Sequence, residues 1–373
     1  MSAPVWVPPQ QRRTGDVGVV VALVLLGVLF LVTIAILAAT MGAAVIPGAA
    51  VLAFVPLAVV IAAILWVDRW EPEPWPALGV AFGWGASVSV LVALVLNTGA
   101  MLAIAVSSTT RFAEVVGAAV VAPVVEETIK GLGVLLLFLV WRRYVDGPVD
   151  GLVYAATVAA GFAFVENILY FGEAMSDQQV SVATVFVLRG VMSPFAHVVF
   201  TACVGLALGW AARRPGHAWV WAFPLGLVAA MVLHGLWNAS AVVGDGTTFL
   251  VMYLLVQAPV FGTVVGLAVW LRRTERTMLR ERLGELVAAG HLGPEDVDML
   301  TSLRNRRAAR GWAARYGRAP AMRRFQHAAT RLAFARNRAV LHRQGLHGSG
   351  DEAAALAELE HARALLWAPT GAV

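Results

Sequence analysis

The sequence predicts an all-α fold, a polytopic transmembrane helical bundle of about eight spans followed by an α-helical cytoplasmic tail. Three observations predict it. Of the 373 residues 59% are hydrophobic and the mean hydropathy is +0.75, well above a soluble domain, in which roughly half of the residues are apolar. Apolar stretches that reach the ~20 residues of a bilayer crossing recur at 17–39, 46–67, 77–105, 112–141, 151–171, 182–209, 219–243 and 249–271. The charge then changes character, from 10 basic and 13 acidic side chains in residues 1–270 to 18 and 10 in residues 271–373. The chain accordingly divides into a membrane domain, 1–271, and an arginine-rich helical tail, 272–373.

The first run follows Arg12 and Arg13 as in a signal peptide, but it exceeds the ~7–15 apolar residues such peptides use and reads as a retained spanning helix. Between the second and third runs lies Asp68-Arg69-Trp70-Glu71-Pro72-Glu73-Pro74-Trp75-Pro76, a proline-stiffened turn that reads as anchored at the headgroups by Trp70 and Trp75. Asp150, just beyond Gly147-Pro148, is a candidate N-cap for the fifth helix. Cys203 is the single cysteine, so the chain has neither an internal disulfide nor a cysteine zinc site.

An even number of spans puts both termini on one side. Arg12, Arg13, Arg142, Arg143, Arg213, Arg214, Arg272 and Arg273 all fall on that side, against Arg111, Arg189, Glu173, Asp177 and Asp245 on the other. The positive-inside rule then makes the N-terminus and tail cytoplasmic. In the tail, candidate helices near 273–289, 295–315, 320–343 and 351–367 are punctuated by Gly290, Gly293-Pro294, Gly317 and the glycines of 345–350. Between 272 and 343 there are 17 arginines against 6 acids, which suits a module lying against anionic lipid at the cytoplasmic face. No nucleic-acid partner is expected.

Ionisable side chains inside spans are costly enough to mark function by default. They occur here as Glu126-Glu127-x-x-Lys130 in the fourth run, Glu166-Asn167 four residues after Phe162 in the fifth, His197 in the sixth, and His234-x-x-x-Asn238 in the seventh. Either glutamate of the first motif can reach the lysine at helical i,i+3 or i,i+4 spacing. The two glutamates point about 100° apart, which gives them different jobs. Lys130 is the only lysine among 28 basic residues, as suits a site that wants a compact ammonium rather than a planar fork.

Two adjacent carboxylates in a low-dielectric site cannot both ionise cheaply, so one is suited to take a proton from water. His234 and Asn238 share a helix face and can donate hydrogen bonds to a developing oxyanion. Together these groups supply peptide hydrolysis without a covalent intermediate. Glu126, Glu166, His197 and His234 can alternatively ligate zinc as a two-histidine, carboxylate set with an open position. No HExxH pair is present and the histidines stand on separate helices, so a metal-free mechanism without a cofactor is favoured, with zinc as the alternative.

Taken singly, Glu166-Asn167 reads as a helix-end cap, His197 as a satisfied core histidine and Phe162 as packing, while Glu114 and Arg189 read as interfacial. As a set, three carboxylates, an ammonium and two histidines in four adjacent spans are hard to place by chance.

The ordered set EExxK, FxxxEN, a lone histidine and HxxxN, following an EPEPWP loop, resembles the PrsW family of bacterial membrane proteases over about residues 65–245. The wider clan includes the CAAX prenyl endopeptidases, the bacteriocin-processing proteases and the non-catalytic APH scaffold subunit of γ-secretase. The resemblance implies a multi-pass protein of the bacterial cell membrane that cuts a membrane-anchored protein substrate, as in the first cut on an anti-sigma factor. It implies Glu126 as the water-activating base, Glu127 and Lys130 as its organisers, and His234 and Asn238 as oxyanion donors. Glu166 stands where the prenyl endopeptidases place a histidine, and His197 is the candidate to supply that imidazole.

Counted from the outer ends of the spans, Glu166 and Asn238 lie about 5 residues in, His234 about 9, and Glu126 and His197 about 14–15, or roughly 8–22 Å at 1.5 Å per residue. The site is therefore expected between the outer half and the midplane, with Pro123 a candidate break that admits water. Two readings from other classes stay open. One is a proton-coupled transporter, which would carry repeats between its halves, and none is visible. The other is a non-catalytic scaffold.

Overall fold

The computed structural model describes residues 13–142, 145–176, 181–214, 216–341 and 346–367. Arg12, Arg143 and Asp177, used above for orientation, lie outside the described residues. Every element among these is helical: α1 (Arg13–Met41), α2 (Ile46–Val67), α3 (Trp75–Ser107), α4 (110–140), α5 (Pro148–Ser176), α6 (Val182–Ala212), α7 (Trp219–Val242), α8 (Gly246–Ala288), α9 (Pro294–Leu300), α10 (Leu303–Arg315), α11 (Ala319–Leu341) and α12 (Leu346–Trp367).

Seven of these helices, α1 to α3 and α5 to α8, are long and apolar enough to cross a membrane. The eighth expected span, α4, is a continuous helix that carries Glu114, Glu126, Glu127 and Lys130, and those charges set it apart from the other seven. The outward faces of α1 and α2 expose Val24, Leu31, Val51 and Phe54, the surface that lipid covers.

Helix α5 is the axis of the bundle, buried along most of its length. Glycines let its backbone touch both neighbours. A Cβ added at Gly205 of α6 would run into the Gly151 carbonyl oxygen of α5, and one added at Gly161 would run into the Phe82 carbonyl of α3. Small residues spaced four apart, Gly205 and Gly209, give this close crossing, as in membrane helix pairs generally. Replacing Gly205 by valine sets side-chain atoms against backbone that cannot rotate away, and is expected to destabilise the fold by about 3 kcal/mol or more. The check is the yield and thermal midpoint of the monodisperse protein in detergent.

Four helices contain a π-helical turn, α3 at Trp84–Ser89, α4 at Gly117–Val121, α6 at Val187–Met192 and α8 at Tyr253–Gln257. Such turns gather at functional sites because they re-aim side chains and free carbonyls. In α4 the cause is local: Pro123 has no N–H for the carbonyl one turn back. The helix absorbs this as a π turn and continues rather than breaking.

On the side bearing the tail, the helix expected to end at 271 continues, since α8 runs unbroken through Arg272 and Arg273 to Ala288. It ends where Gly290 takes φ 80° and the His291 N–H bonds the Leu286 carbonyl. The expected helix 295–315 is divided at Thr301-Ser302, where Ser302 caps α10 through the Asn305 N–H. The tail helices enclose their own core around Leu279, Leu283, Leu300, Phe325, Leu332 and Phe334.

Trp70 of the first tail-side loop is part of that core rather than at a headgroup surface, with the Arg306 guanidinium 5.2 Å from its ring centroid. Beside it Arg338 of α11 pairs with Asp146 at 2.6 Å. Within the loop, Asp68 accepts from the Glu73 N–H at 3.0 Å and Glu73 accepts from the Tyr154 hydroxyl at 2.6 Å. Burial pushes the Asp68 carboxyl up to about 7 and the Glu73 carboxyl up to about 8. Asp150 lies within the first turn of α5 rather than at its N-cap, and its carboxylate accepts from the Asp146 and Gly147 N–H groups at 2.8 and 3.0 Å.

Candidate active site

Four helices, α4 to α7, bring the sequence motifs together. At i,i+3 spacing on α4 Glu127 meets Lys130, its Oε1 2.6 Å from Nζ, both side chains fully buried. The ammonium also lies 3.1 Å from His197 Nδ1 of α6, 3.9 Å from Glu126 Oε2, and 4.3 Å from the centroid of the Phe162 ring on α5. Phe162, expected to be packing, packs on the Lys130 ammonium.

Glu127 accepts from two further groups, the Thr201 hydroxyl at 3.0 Å and His234 Nδ1 at 2.9 Å. A carboxylate so engaged is acceptor only, which places the His234 proton on Nδ1 and leaves Nε2 with a lone pair. That lone pair lies 3.9 Å from Glu126 Oε2. The His234 ring is fixed in this orientation by stacking on Phe200, centroids 4.8 Å apart.

Glu126 is offset from Glu127 by about 100° around α4. Its Oε1 accepts from Asn97 Nδ2 of α3 at 3.2 Å, and its Oε2 is buried without a hydrogen-bond donor. Asn97 in turn lines a cleft of about 500 Å³ shared with Met101, Arg111, Glu114, Ala118 and Val242, at the end of the bundle away from the tail. The Arg111 guanidinium, bonded to the Val242 carbonyl, bridges α4 and α7 at the mouth.

Glu166 of α5 accepts from His197 Nε2 at 2.8 Å and pairs with Arg189. Arg189 also donates to Asn167 Oδ1 at 2.7 Å and lies 3.9 Å from the Tyr170 ring centroid. Arg189, expected to be interfacial, lies in the π turn at Val187–Met192 and is partly exposed while it pairs with Glu166. Asn238 does not face the cluster through its amide NH₂, which donates to the Ala118 carbonyl at 2.9 Å in the π turn of α4. It thereby satisfies a carbonyl in the π-helical stretch that Pro123 imposes.

Charge can be counted from these contacts. Glu127 has Lys130 and Glu166 has Arg189, so Glu126 is the carboxylate of the three without a close cation of its own. A proton or a cation completes it. One ligand atom each from Glu126, His197 and His234 lie within 4.8 Å of one another, all three residues buried. Glu126 Oε2 and His234 Nε2 are open to a divalent metal, each histidine being backed by a carboxylate, but His197 Nδ1 is held by the Lys130 ammonium at 3.1 Å, so His197 could join them only with the ammonium moved off it. Glu166, a ligand in the expected zinc set, instead backs His197.

Sequence reasoning passed over Asn97, Thr201 and the pairing of Arg189 with Glu166. Asn97 carried a usable signal, a polar amide directly after the apolar run Val90 to Leu96. Thr201 did not, since hydroxyls bond their own helix in any span.

The sequence model described as PrsW family intramembrane metalloprotease matches residues 73–288. The chain is also similar to Protease PrsW of Clostridioides difficile (strain 630), with 31% identity over 158 residues, or 41% of this chain. The match covers 62% of that relative's length. No solved structure matches the chain.

Proposed function

The chain belongs to the PrsW family of intramembrane metalloproteases, and from that premise we propose that it is an endopeptidase hydrolysing a peptide bond of a membrane-anchored protein at Glu126. The observation that carries the proposal is the buried, donorless Glu126 Oε2 facing His234 Nε2, with the Asn97 side chain that bonds Glu126 lining an open cleft. A water molecule entering by the cleft hydrogen-bonds to Glu126, which takes its proton as the oxygen attacks the scissile carbonyl. The proton passes to His234 Nε2, where the imidazolium is stabilised by ionised Glu127 at Nδ1. In that state Nε2–H is a donor, first to the oxyanion and then to the leaving amine.

Lys130 holds Glu127 ionised, and the Arg189–Glu166 pair holds His197 against the ammonium. Asn238 acts through the backbone of α4 that presents Glu126. A second reading is favoured by the orphaned Oε2 and the carboxylate-backed His234: with the Lys130 ammonium moved off His197 Nδ1, Glu126, His197 and His234 would hold zinc. Zinc there would make bound water a nucleophile at neutral pH and polarise the carbonyl.

The positive-inside count makes the tail side cytoplasmic and the cleft side outward, in a bacterial plasma membrane with both termini inside. The substrate is then cut in its outer half, as suits an anti-sigma-factor-like protein. Exposed Arg304, Arg307, Arg323 and Arg324 of the tail meet anionic lipid.

The test is co-reconstitution with single-pass membrane proteins, mapping any new terminus by mass spectrometry. A cut in the outer half of the substrate span is expected; substrates left intact by the folded protein would overturn the proposal. Activity surviving exhaustive chelation selects the metal-free reading, and activity lost to chelation and restored by stoichiometric zinc selects the other.

A further inference from the structure

Asn97 belongs to none of the motifs that define the site, yet its amide is bonded to Glu126. Its Nδ2 donates to Glu126 Oε1 at 3.2 Å. Its Oδ1 is buried with no donor, and so is Glu126 Oε2. Few described buried side-chain oxygens lack a donor, and these two sit on side chains that are bonded to each other. Amide and carboxylate oxygens are acceptors only, and leaving them buried and unmatched is costly. A water molecule carries the two O–H donors that these oxygens lack, and the cleft lined by Asn97 is polar at its mouth and large enough to admit one.

We infer that Asn97 is a catalytic residue: its Oδ1 and Glu126 Oε2 accept the two hydrogens of the attacking water, while its Nδ2 fixes the carboxylate that takes the proton. The inference rests on the Glu126 hydrolysis proposed above. In the step, the water oxygen forms a bond to the scissile carbonyl carbon and the hydrogen facing Glu126 passes to Oε2. The hydrogen facing Asn97 stays on the attacking oxygen. When the C–N bond breaks, the proton taken by Glu126 goes by way of His234 to the leaving nitrogen, so that one water yields one carboxylic acid and one amine.

The experiment uses the full chain reconstituted with a single-pass substrate that the wild type cleaves. Asn97→Leu, of similar volume, is expected to lower kcat by about 10²-fold, the scale of losing one oriented hydrogen-bonding group. KM should stay within about 2-fold, since the lost contact is to water and not to substrate. Asn97→Gly is expected to recover activity as acetamide is added, whereas Glu126→Gln in acetamide is not. An Asn97→Leu kcat within about 3-fold of wild type, or a rise in KM alone, overturns the inference. If Asn97→Leu does not fold, the acetamide titration of Asn97→Gly decides, and no recovery overturns it. A folded wild type that cleaves none of the substrates removes the hydrolysis proposal, and this inference with it.

Discussion

Glu126→Gln is expected to lower cleavage of a single-pass substrate by between about 10² and 10⁴-fold, the range supplied by a positioned general base. The substitution keeps the shape of the side chain and removes its ability to take a proton. Folding should be little affected, because the tight partner of Lys130 is Glu127 at 2.6 Å, while Glu126 is 3.9 Å away. His234→Ala should match the loss, as it removes both the proton relay and the donor that the relay creates. The assay is initial cleavage rate in vesicles, with circular dichroism and thermal midpoint showing that each variant is folded. A scaffold would tolerate Glu126→Gln, so retained function with lost cleavage separates the classes.

Lys130→Met is expected to have the largest effect on stability, about 3–5 kcal/mol, the usual cost of removing one partner of a buried pair. Glu127 would keep only His234 and Thr201, and no cation would remain between it and Glu126. The double variant Lys130→Met/Glu127→Gln removes both charges and should regain much of the stability, because the stranded carboxylate is gone. Cleavage should not return, since His234 loses the anion that orients Nδ1. Thermal unfolding of the purified variants in one detergent checks the first statement, and the cleavage assay checks the second.

The helical spans and the polar set were legible because a bilayer imposes strong rules: a span needs an unbroken apolar run, and an ionisable group inside one stands out. Contacts made through backbone were not legible. Nothing in HxxxN distinguishes a side chain aimed at substrate from one aimed at the Ala118 carbonyl, because that depends on a π turn. The pairing of Arg189 with Glu166 was not legible for the same reason, as Arg189 lies in a π turn, which shifts register by one residue. Trp70 looked like a headgroup anchor because the partner that buries it is a tail hundreds of residues away in sequence. The unbroken α8 follows from arginine's good helix propensity, so hydropathy ends at the membrane edge while the helix does not.

The most direct measurement of the central claim is cleavage carried out in water enriched in oxygen-18, with both fragments analysed by mass. One solvent oxygen is expected in the new carboxyl terminus, with a cut in the outer half of the substrate span and product formed at least about 10²-fold more slowly by Glu126→Gln. Cleavage by Glu126→Gln at the wild-type rate, or a cut confined to the tail side, would contradict the claim.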